Sequence, residues 1–402
     1  MGIKRRKLLR TAAALAALPA MVGLGRKPAR AANIVIAGTK SVTGEHAVIG
    51  QYGELGSDLA LRTAGLIAGH ALDYWLIDTG GPTVQVLDKV RAAIEQSAVR
   101  FFTGAASPET GPLIADQLAQ AGCVYACGLG VDELADAPCH RSMFRWSSSP
   151  QAAIAATIDP LVALLPNAER WFVVAPETTL GLALLNAAED RMRALAVEQV
   201  GSARISAGDR EFSGLFQRIL ATRPDMVVLL AAGGQSSALL RHAVNIGAHR
   251  KTGLVTVWSG GLHQLQSLGP DAIEGLYFGG QYWHEANTPA NRFLVAHTRA
   301  RYGINPNAPL AAEFIGTKLL IDAIVASGSS DPGPVIAALE GLAYDGPTGP
   351  ETIGARDHQC DKAYYLLRGK GRRHMRDSDN LADIINAARP EAAAITAACR
   401  TA

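Results

Sequence analysis

The feature that most constrains the fold is a regular alternation between short apolar runs and longer segments of helical periodicity. The clearest unit spans Phe101 to Gly128. Within it an apolar run ends at Gly104, a loop of small residues follows, and an amphipathic segment leads to a second apolar run. This order is typical of a crossover between parallel strands, which need a long connection that is usually a helix. The pattern therefore predicts an α/β chain with helices on both faces of a sheet.

The loop inside this unit has the composition of a helix start that accepts an anion. Ser107, followed by Pro108 and Glu109, would cap the helix, and Thr110 is an alternative cap. The loop leaves the carboxyl end of a strand, where open parallel sheets bind ligands, and a helix start presents free backbone amides. A cap with no ligand explains the same residues, so both interpretations stay open at this point.

The alternation occurs twice along the chain, once in residues 34–128 and again in residues 154–261. The polar segment Ser147–Pro150 between the two sets is interpreted as a hinge. Later helical segments lack strands of their own, so they are expected to return and cover the first lobe. The fold class expected is α/β, with two doubly wound, Rossmann-like lobes joined by a hinge of several segments. The predicted division is a first lobe of residues 33–148 plus 286–345, a second lobe of 149–285 plus 346–375, and an Ala-rich, helical tail of 376–402.

Residues 1–31 have the features of an export signal. The basic stretch Lys4–Arg10 precedes an apolar run from Thr11 to Leu24, and Ala29–Ala31 supplies small residues at a cleavage site. The pair Arg5–Arg6 resembles a twin-arginine signal, with an ordinary Arg-rich secretory signal as the alternative. No other apolar run reaches the ~20 residues of a spanning helix. The mature chain is therefore expected to begin near Ala32 and to be soluble in the periplasm.

The charge of the mature chain does not suggest a nucleic-acid or anionic-membrane partner. Eight of the 38 basic residues and none of the 36 acidic residues lie in residues 1–31, which leaves the mature chain a net charge of −6. Binding to phosphate-rich partners requires a basic surface. The remaining length of about 370 residues is too long for one core and fits two lobes.

The five cysteines predict at most two disulfides. An exported chain can form disulfides, and an odd number leaves one thiol free. Cys123 lies in an apolar run and is expected to be a buried thiol, and its spacing from Cys127 fits neither a redox pair nor a zinc pair. The pairings to test first are Cys127 with Cys139 and Cys360 with Cys399.

Several local patterns in the same order resemble one known family. The chain is similar to the leucine/isoleucine/valine-binding protein family, periplasmic solute-binding components of ABC transporters with the type I two-lobe fold. The matching stretches are Ile34–Gly44, Thr103–Ser107, Gly122–Leu134, Gly208–Ser213, Pro224–Leu230 and Arg356–Gln359. The resemblance covers about Asn33 to Gly371, and it implies a protein that binds a small molecule between two lobes.

The resemblance also implies where the ligand would bind. Ser107 and Thr110 would hold an anionic end of the ligand, completed by backbone groups around Gly128, Leu129 and Gly130. The facing wall in the second lobe would include Glu177, Leu180, Trp258, Ser259 and Tyr282, with Trp283 as a further aromatic residue. Charge-assisted hydrogen bonds of ~1.5–3 kcal/mol each are enough to fix a carboxylate.

Departures from the family pattern affect the expected ligand. Members that bind amino acids place an acid after a second-lobe strand to hold the ammonium, whereas this chain has Trp258–Gly261 there. A buried ammonium without an anionic partner is costly, so the expectation is an aromatic or aliphatic carboxylate, or another largely apolar compound. Glu177 in a neighbouring loop is the residue that would restore α-amino acid binding.

The remaining constellations favour a binding protein over an enzyme. The histidines of the second lobe lack metal-ligand spacing, and Asp357–His358 beside Cys360 is interpreted as a polar turn. Ser107, Ser147 and Ser236 lack the context of a nucleophile elbow, and Ser236 is interpreted as a helix cap. The expected protein is a monomer without cofactor or metal that delivers its ligand to an ABC permease in the inner membrane. A ligand sensor of the same fold is the alternative, and an enzyme is the less favoured one.

Overall fold

A computed structural model describes residues 33–44, 46–65, 72–105, 110–127, 140–206 and 208–389. The predicted signal peptide lies outside these residues, as do Ser107, Gly128–Gly130, Cys139 and Cys399. Among the described residues, none of the helices combines the length and apolar character needed to cross a bilayer.

The first lobe is built on a parallel sheet whose strands lie in the order β2–β1–β3–β4–β5. Its strands are β1 (Ile34–Lys40), β2 (Leu72–Asp78), β3 (Phe101–Ala105), β4 (Val124–Cys127) and β5 (Met143–Arg145). The crossover helices are α1 (Ala47–Ala64), α2 (Thr83–Ser97) and α3 (Gly111–Gln120). Strand β3 buries both faces: Phe101 packs with residues of α1, and Phe102 packs with residues of α2 and α3. The organising unit of the sequence is therefore the strand–helix–strand crossover that was predicted.

The second lobe has a seven-stranded sheet in the order β15–β14–β10–β9–β8–β6–β7. Its strands are β6 (Arg170–Pro176), β7 (Glu198–Ile205), β8 (Met226–Leu229), β9 (Gly253–Thr256), β10 (Tyr277–Gly280), β14 (Tyr364–Gly369) and β15 (Ala382–Ala388). Its helices are α4 (Pro150–Leu164), α5 (Thr179–Ala194), α6 (Ser213–Ala221), α7 (Gly233–Asn245), α8 (Leu262–Leu268) and α9 (Pro270–Ile273). Strands β6 to β10 are parallel, and β14 and β15 add antiparallel to the edge beside β10.

Three late helices pack against the first-lobe elements. They are α10 (Pro289–Tyr302), α11 (Ala308–Ser327) and α12 (Pro332–Leu339). Helix α11 packs along α1 and against β3 and β4, and α12 packs beside it. A small antiparallel sheet follows, formed by β11 (Ala343–Gly346), β12 (Gly349–Ile353) and β13 (Cys360–Asp361). The chain then enters β14, so it passes between the lobes after β5, after β10 and through this small sheet.

Two details of the sequence interpretation are corrected. The Ala-rich tail is not helical over its described part, because Ala382–Ala388 pairs antiparallel with β14 and buries Ala382. Ser236 is not a cap: α7 begins at Gly233, and the Ser236 hydroxyl lies within the helix, 2.9 Å from Thr256 Oγ1. In the first case strand pairing in the folded protein overrides the helix propensity of alanine.

Candidate ligand-binding cleft

The carboxyl ends of the first-lobe strands meet at one edge of the sheet, because the strands are parallel. Strand β1 ends at Lys40, β2 ends at Asp78, and Thr110 is the buried N-cap residue of α3. Thr110 immediately precedes the helix, but its side chain does not make the capping hydrogen bond that the sequence analysis expected of a cap. The start of α3 lies at the edge where parallel sheets bind ligands.

Asp78 organises the loop that follows β1. Its carboxylate accepts hydrogen bonds from the amides of Val42 and Gly80 at 3.1 Å and 3.0 Å, and from the Thr43 hydroxyl at 2.6 Å. Partial burial opposes ionisation, but these hydrogen bonds lower the pKa of Asp78 below its ordinary value. Beside it the Ser41 and Thr79 hydroxyl groups are 2.8 Å apart. The loop edge is thus fixed by its own polar side chains.

A buried cluster of charged residues lies next to this edge of the sheet. The sequence analysis did not identify it. The Lys40 ammonium donates to Tyr74 Oη at 2.6 Å and to Ser57 Oγ at 2.9 Å, and it lies 3.4 Å from Glu313 Oε2. Glu54 lies 3.9 Å from the same ammonium. Burial alone would lower the pKa of Lys40, but Tyr74, Glu313 and Glu54 together raise it. The cluster is a buried ion network that holds β1 against α1 and α11.

Glu313 is the member of this cluster with incomplete hydrogen bonding. Its Oε2 accepts from Thr103 Oγ1 at 3.1 Å, whereas its Oε1 is buried without a partner among the described residues. Complete burial raises the pKa of Glu313 above its ordinary value, against the effect of Lys40. The signal in the sequence is a single acid in the otherwise apolar first half of α11, one position before Phe314. A lone acid in a buried helix face requires a buried partner.

In the second lobe the predicted wall residues fall into exposed and buried groups. Glu177 is exposed at the end of β6, and Thr178 caps α5 by accepting from the Gly181 amide at 3.1 Å. Leu180 is buried in the apolar core of this lobe, where it packs with Leu184. Of the two ligand-binding residues predicted in this segment, Glu177 is therefore exposed to solvent and Leu180 is not.

The segment after β9 combines a partly exposed aromatic ring with a buried hydroxyl group. The ring centroid of Trp258 lies 6.5 Å from that of Tyr364. Ser259 Oγ donates to the Gly279 carbonyl oxygen at 2.6 Å, so this hydroxyl serves the connection to the neighbouring strand. None of the residues Trp258–Gly261 carries a carboxylate.

Tyr282 and Trp283 are both fully buried just after β10. The Tyr282 hydroxyl donates to Asn291 Oδ1 at 2.6 Å, and its ring packs in the core of the first lobe. Trp283 packs in the core of the second lobe. Of the three aromatic residues predicted for a ligand wall, Trp258 alone keeps an exposed part.

The two lobes also contact each other directly. The rings of Tyr52 in α1 and His263 in α8 have centroids 6.3 Å apart. Asn305, which precedes α11, donates from Nδ2 to Asp379 Oδ2 at 2.9 Å, and Gln266 of α8 donates to Asp379 Oδ1 at 2.8 Å. Burial lowers the pKa of His263. These contacts join α1 and the start of α11 to the second lobe.

Two of the cysteines named in the disulfide predictions lie within the described residues, and their two expected partners do not. Cys123 is a buried free thiol, as its apolar surroundings indicate. Cys360 is buried in β13 of the small antiparallel sheet, with its Sγ 3.7 Å from the Tyr344 hydroxyl, and burial raises the pKa of its thiol. The pairings of Cys127 with Cys139 and of Cys360 with Cys399 stay predictions, because Cys139 and Cys399 lie outside the described residues.

A comparison with known families decides the identity. A family model described as periplasmic binding protein matches residues 33–374. The chain belongs to the periplasmic binding protein family. Within the described residues, no group of histidine, cysteine and acidic side chains is arranged to hold a metal ion. None of the curated protein sequences matches the chain.

Solved structures of periplasmic binding proteins resemble the chain along its length. An amino acid ABC transporter substrate-binding protein from Pseudomonas fluorescens is 42% identical, with a TM-score of 0.89, and the match covers 92% of this chain and 99% of that one. At this identity the chain is a substrate-binding protein of the ABC-transporter kind, which confirms the family prediction.

More distant structures share the type I fold. The leucine-binding protein LivK from Thermotoga maritima is 18% identical with a TM-score of 0.74, covering 89% of this chain and 99% of that one. A solute-binding protein from Rhodopseudomonas palustris in complex with 3,4-dihydroxybenzoic acid is 19% identical with a TM-score of 0.77, covering 89% and 99%. These similarities confirm the predicted fold class.

Proposed function

We propose that the protein is the periplasmic solute-binding component of an ABC importer and that its ligand is a small carboxylate without an α-ammonium group. The ligand would lie between the lobes, with its carboxylate at the start of α3 and its apolar part against Trp258. Residues 1–31 would direct export and be removed. The protein would deliver the ligand as a monomer to a permease in the inner membrane.

The start of α3 supports the carboxylate end of this proposal. Thr110 stands at the N-cap position of a ten-residue helix, and Ser107 lies three positions before it in the sequence. The positive end of a helix and its free amides favour a negative charge. A carboxylate held there would receive charge-assisted hydrogen bonds of about 1.5–3 kcal/mol each.

The second-lobe segment Trp258–Gly261 carries the argument against an α-amino acid. It has no carboxylate, and Ser259 already donates its hydroxyl to Gly279. An ammonium group enclosed beside Trp258 would lose its hydration without gaining an anionic partner, and such burial is unfavourable. A ligand whose second end is apolar avoids this cost.

An α-amino acid ligand is the second candidate, and two observations favour it. The Pseudomonas fluorescens protein that is 42% identical is described as an amino acid transporter component. Glu177 is exposed in the loop after β6, within the segment that the family resemblance places on the ligand wall. In this case Glu177 would hold the ammonium group.

Matched pairs of ligands separate the two candidates. Each pair consists of an acid and its α-amino counterpart, such as 4-methylpentanoate with leucine and 3-phenylpropanoate with phenylalanine. Thermal shift and calorimetry on the mature protein should show binding of at least one acid about tenfold or more tighter than its amino counterpart, the equivalent of about 1.4 kcal/mol. Stabilisation by the amino acids alone, abolished in Glu177→Ala, would establish the second candidate instead.

Two variants test the placement of the carboxylate. Ser107→Ala and Thr110→Ala should each weaken binding of the best acid about tenfold, because each removes a side-chain hydroxyl from the proposed carboxylate site. Ser330→Ala, an exposed serine between α11 and α12, is the matched control and should bind normally. Unchanged affinity in both site variants would place the carboxylate elsewhere. Mass spectrometry of the released compound should show it unaltered, whereas a changed product would indicate an enzyme.

A further inference from the structure

A separate cavity of about 230 Å³ lies at the hinge. One side of the cavity is formed by the chain crossing after β5 and by the start of α4. The other side is formed by the crossing through the small antiparallel sheet and by the end of β15. The residues that matter are Ser148, Ser149, Ala152, Cys360, Lys362 and Arg389. None of the residues predicted to bind the transported ligand lines this cavity.

Ser148, one of the lining residues, carries a buried hydroxyl group with incomplete hydrogen bonding. The residue is only 6% exposed, and its Oγ has no hydrogen-bond partner among the described residues. Its backbone amide donates to Gln281 Oε1 at 2.8 Å, which fixes the residue in place. A buried hydroxyl group without a hydrogen-bond partner is energetically unfavourable. A hydrogen-bonding group in the cavity would remove this penalty.

Lys362 brings a buried positive charge to the same cavity. The residue is 3% exposed, and its ammonium donates to the Gln281 carbonyl oxygen at 2.7 Å and lies 4.0 Å from the centroid of the Trp146 ring. In the described part of the chain no carboxylate forms an ion pair with it. The nearby carboxylate of Glu351 accepts hydrogen bonds from Trp146 Nε1 and from the Tyr344 hydroxyl.

The surroundings of Lys362 make its ammonium form less favourable. Burial lowers the pKa of Lys362 to about 8, although Glu351 and Cys360 act in the opposite direction. An ammonium group in this position therefore lacks the compensation that buried charges require. An anion in the cavity would supply it.

Apart from the carboxylate of Asp357, the other charges around the cavity do not offset the positive charge of Lys362. Helix α4 directs its N-terminus there, with Ser149 as the cap that accepts from the Ala152 amide at 3.2 Å. Arg389 at the edge pairs with Asp361 at 2.8 Å, so these two charges neutralise each other. Asp357 also contributes to the lining, and its Oδ1 accepts from the Gln359 amide at 3.1 Å. A helix start and an unpaired ammonium together favour an anionic occupant.

We propose that this hinge cavity is a second binding site, which holds a small carboxylate between the Ser148 hydroxyl and the Lys362 ammonium. Drug-sized ligands occupy pockets of about 300–1,000 Å³, so the occupant is smaller, with acetate as the simplest example. Because the site combines residues of two chain crossings, its shape depends on the relative position of the lobes. A carboxylate that prefers one lobe arrangement would therefore change the affinity of the main cleft, and the main ligand would change carboxylate binding by the same factor.

Acetate is the probe for this site. The mature protein is titrated with sodium acetate in exchange for sodium chloride at constant ionic strength, with thermal unfolding and tryptophan fluorescence as readouts. We expect a saturable rise in Tm and a saturable fluorescence change that disappears in Trp146→Phe, because Trp146 packs on Lys362. No saturable response, or equal responses to acetate and chloride, would overturn the proposal.

Ser148→Ala is the decisive variant. It removes a hydroxyl that has no partner, so the unliganded protein should unfold at an unchanged or slightly higher temperature. Its acetate affinity should fall about tenfold or more, and Lys362→Met should show a similar loss. Ser330→Ala is again the matched control and should respond to acetate like the unmodified protein.

Ser107→Ala separates this site from the proposed transport site. If acetate binds at the hinge, its effect persists in Ser107→Ala and is lost in Ser148→Ala. If the effect is lost in Ser107→Ala and persists in Ser148→Ala, acetate binds in the main cleft and the hinge proposal is wrong. The transport proposal depends on the paired acids and amino acids, so either proposal can fail without the other.

Discussion

Lys362 and Lys40 are both buried, and their surroundings affect their ionisation in opposite directions. The ammonium of Lys40 has Tyr74, Glu313 and Glu54 as neighbours, and together they outweigh the effect of burial on its pKa. Lys362 has a carbonyl oxygen and an aromatic ring as neighbours, so burial dominates and its pKa falls to about 8. At the residue scale, the identity of the neighbours decides whether a buried charge is stabilised.

The lowered pKa of Lys362 predicts a stability that increases with pH. Between pH 8 and the ordinary value of 10.5, the unfolded chain binds a proton at this lysine that the folded protein has largely released. Stability therefore rises as the pH rises through this window, by about 1 kcal/mol between pH 7 and pH 9. Urea unfolding at the two pH values, without added carboxylates, measures the change.

The comparison with Lys362→Met isolates this contribution from the other titrating groups. Between pH 7 and pH 9, the free energy of unfolding of the unmodified protein should increase by about 1 kcal/mol more than that of Lys362→Met. Lys318→Met replaces a half-exposed lysine on α11 and should behave like the unmodified protein. Equal pH slopes for all three proteins would show that Lys362 titrates normally.

At the scale of elements, α1 and α11 form the most extensive contact between helices in the described part of the chain. Helix α1 places Gly53 and Gly56 on its buried face, three residues apart. A Cβ atom on Gly56 would lie 2.2 Å from the Leu310 carbonyl oxygen, and one on Gly53 would lie 2.9 Å from Cγ of Glu313. The absence of side chains lets the backbones approach closely, which also brings Glu313 within reach of Lys40.

Gly56→Ala should therefore destabilise the protein, although alanine is the better helix former. The added methyl group meets the backbone of α11, and overpacking of this kind costs about 1–3 kcal/mol. Gly214→Ala in α6 is the matched control, because the added Cβ would meet only the end of Arg218, at 3.9 Å. The control should be neutral or stabilising by up to about 1 kcal/mol. Urea unfolding of both variants measures the contrast, and equal effects would rule out close packing as the reason for Gly56.

At the scale of the whole molecule, the two lobes are connected by three chain crossings and by a few side-chain contacts. Gln281 links two of the crossings, because it accepts from the Ser148 amide through its side chain and from Lys362 through its carbonyl oxygen. Asp379 of the second lobe accepts from Asn305 of the first lobe. The hydrogen bond between Asn305 and Asp379 is lost when the lobes separate. It therefore favours the arrangement in which the lobes approach each other.

Asp379→Ala should shift the protein toward separated lobes. Loss of a hydrogen bond worth about 1 kcal/mol changes the equilibrium about fivefold. Small-angle scattering of the unliganded variant should show a larger radius of gyration, and ligand affinity should fall by a similar factor. Asp271→Ala, which removes an exposed ion pair with Arg372 within the second lobe, is the control and should change neither quantity. Unchanged scattering for Asp379→Ala would show that this contact does not influence the lobes.

Local signals in the sequence account for most of the elements. The crossover from Phe101 to Cys127 follows from its apolar runs, and the helical periodicity of residues 289–326 predicts α10 and α11. Thr110 was one of the two expected caps of α3. Ala382–Ala388 was missed because its alanines favour a helix, whereas pairing with β14 decides its structure. Ser236 was misread because its partner, Thr256, is distant in sequence.

The sequence by itself determined the two-lobe α/β fold, since the periods of its apolar residues specify which segments are strands and which are helices. The lack of an acid in Trp258–Gly261 is likewise visible from sequence. The tertiary structure decided which polar residues meet: Lys40 with Glu313, and Ser148 and Lys362 on either side of Gln281. These partners are separated by more than a hundred residues or by a chain crossing. Burial and charge compensation act through space, so they are set only when the lobes and the hinge have formed.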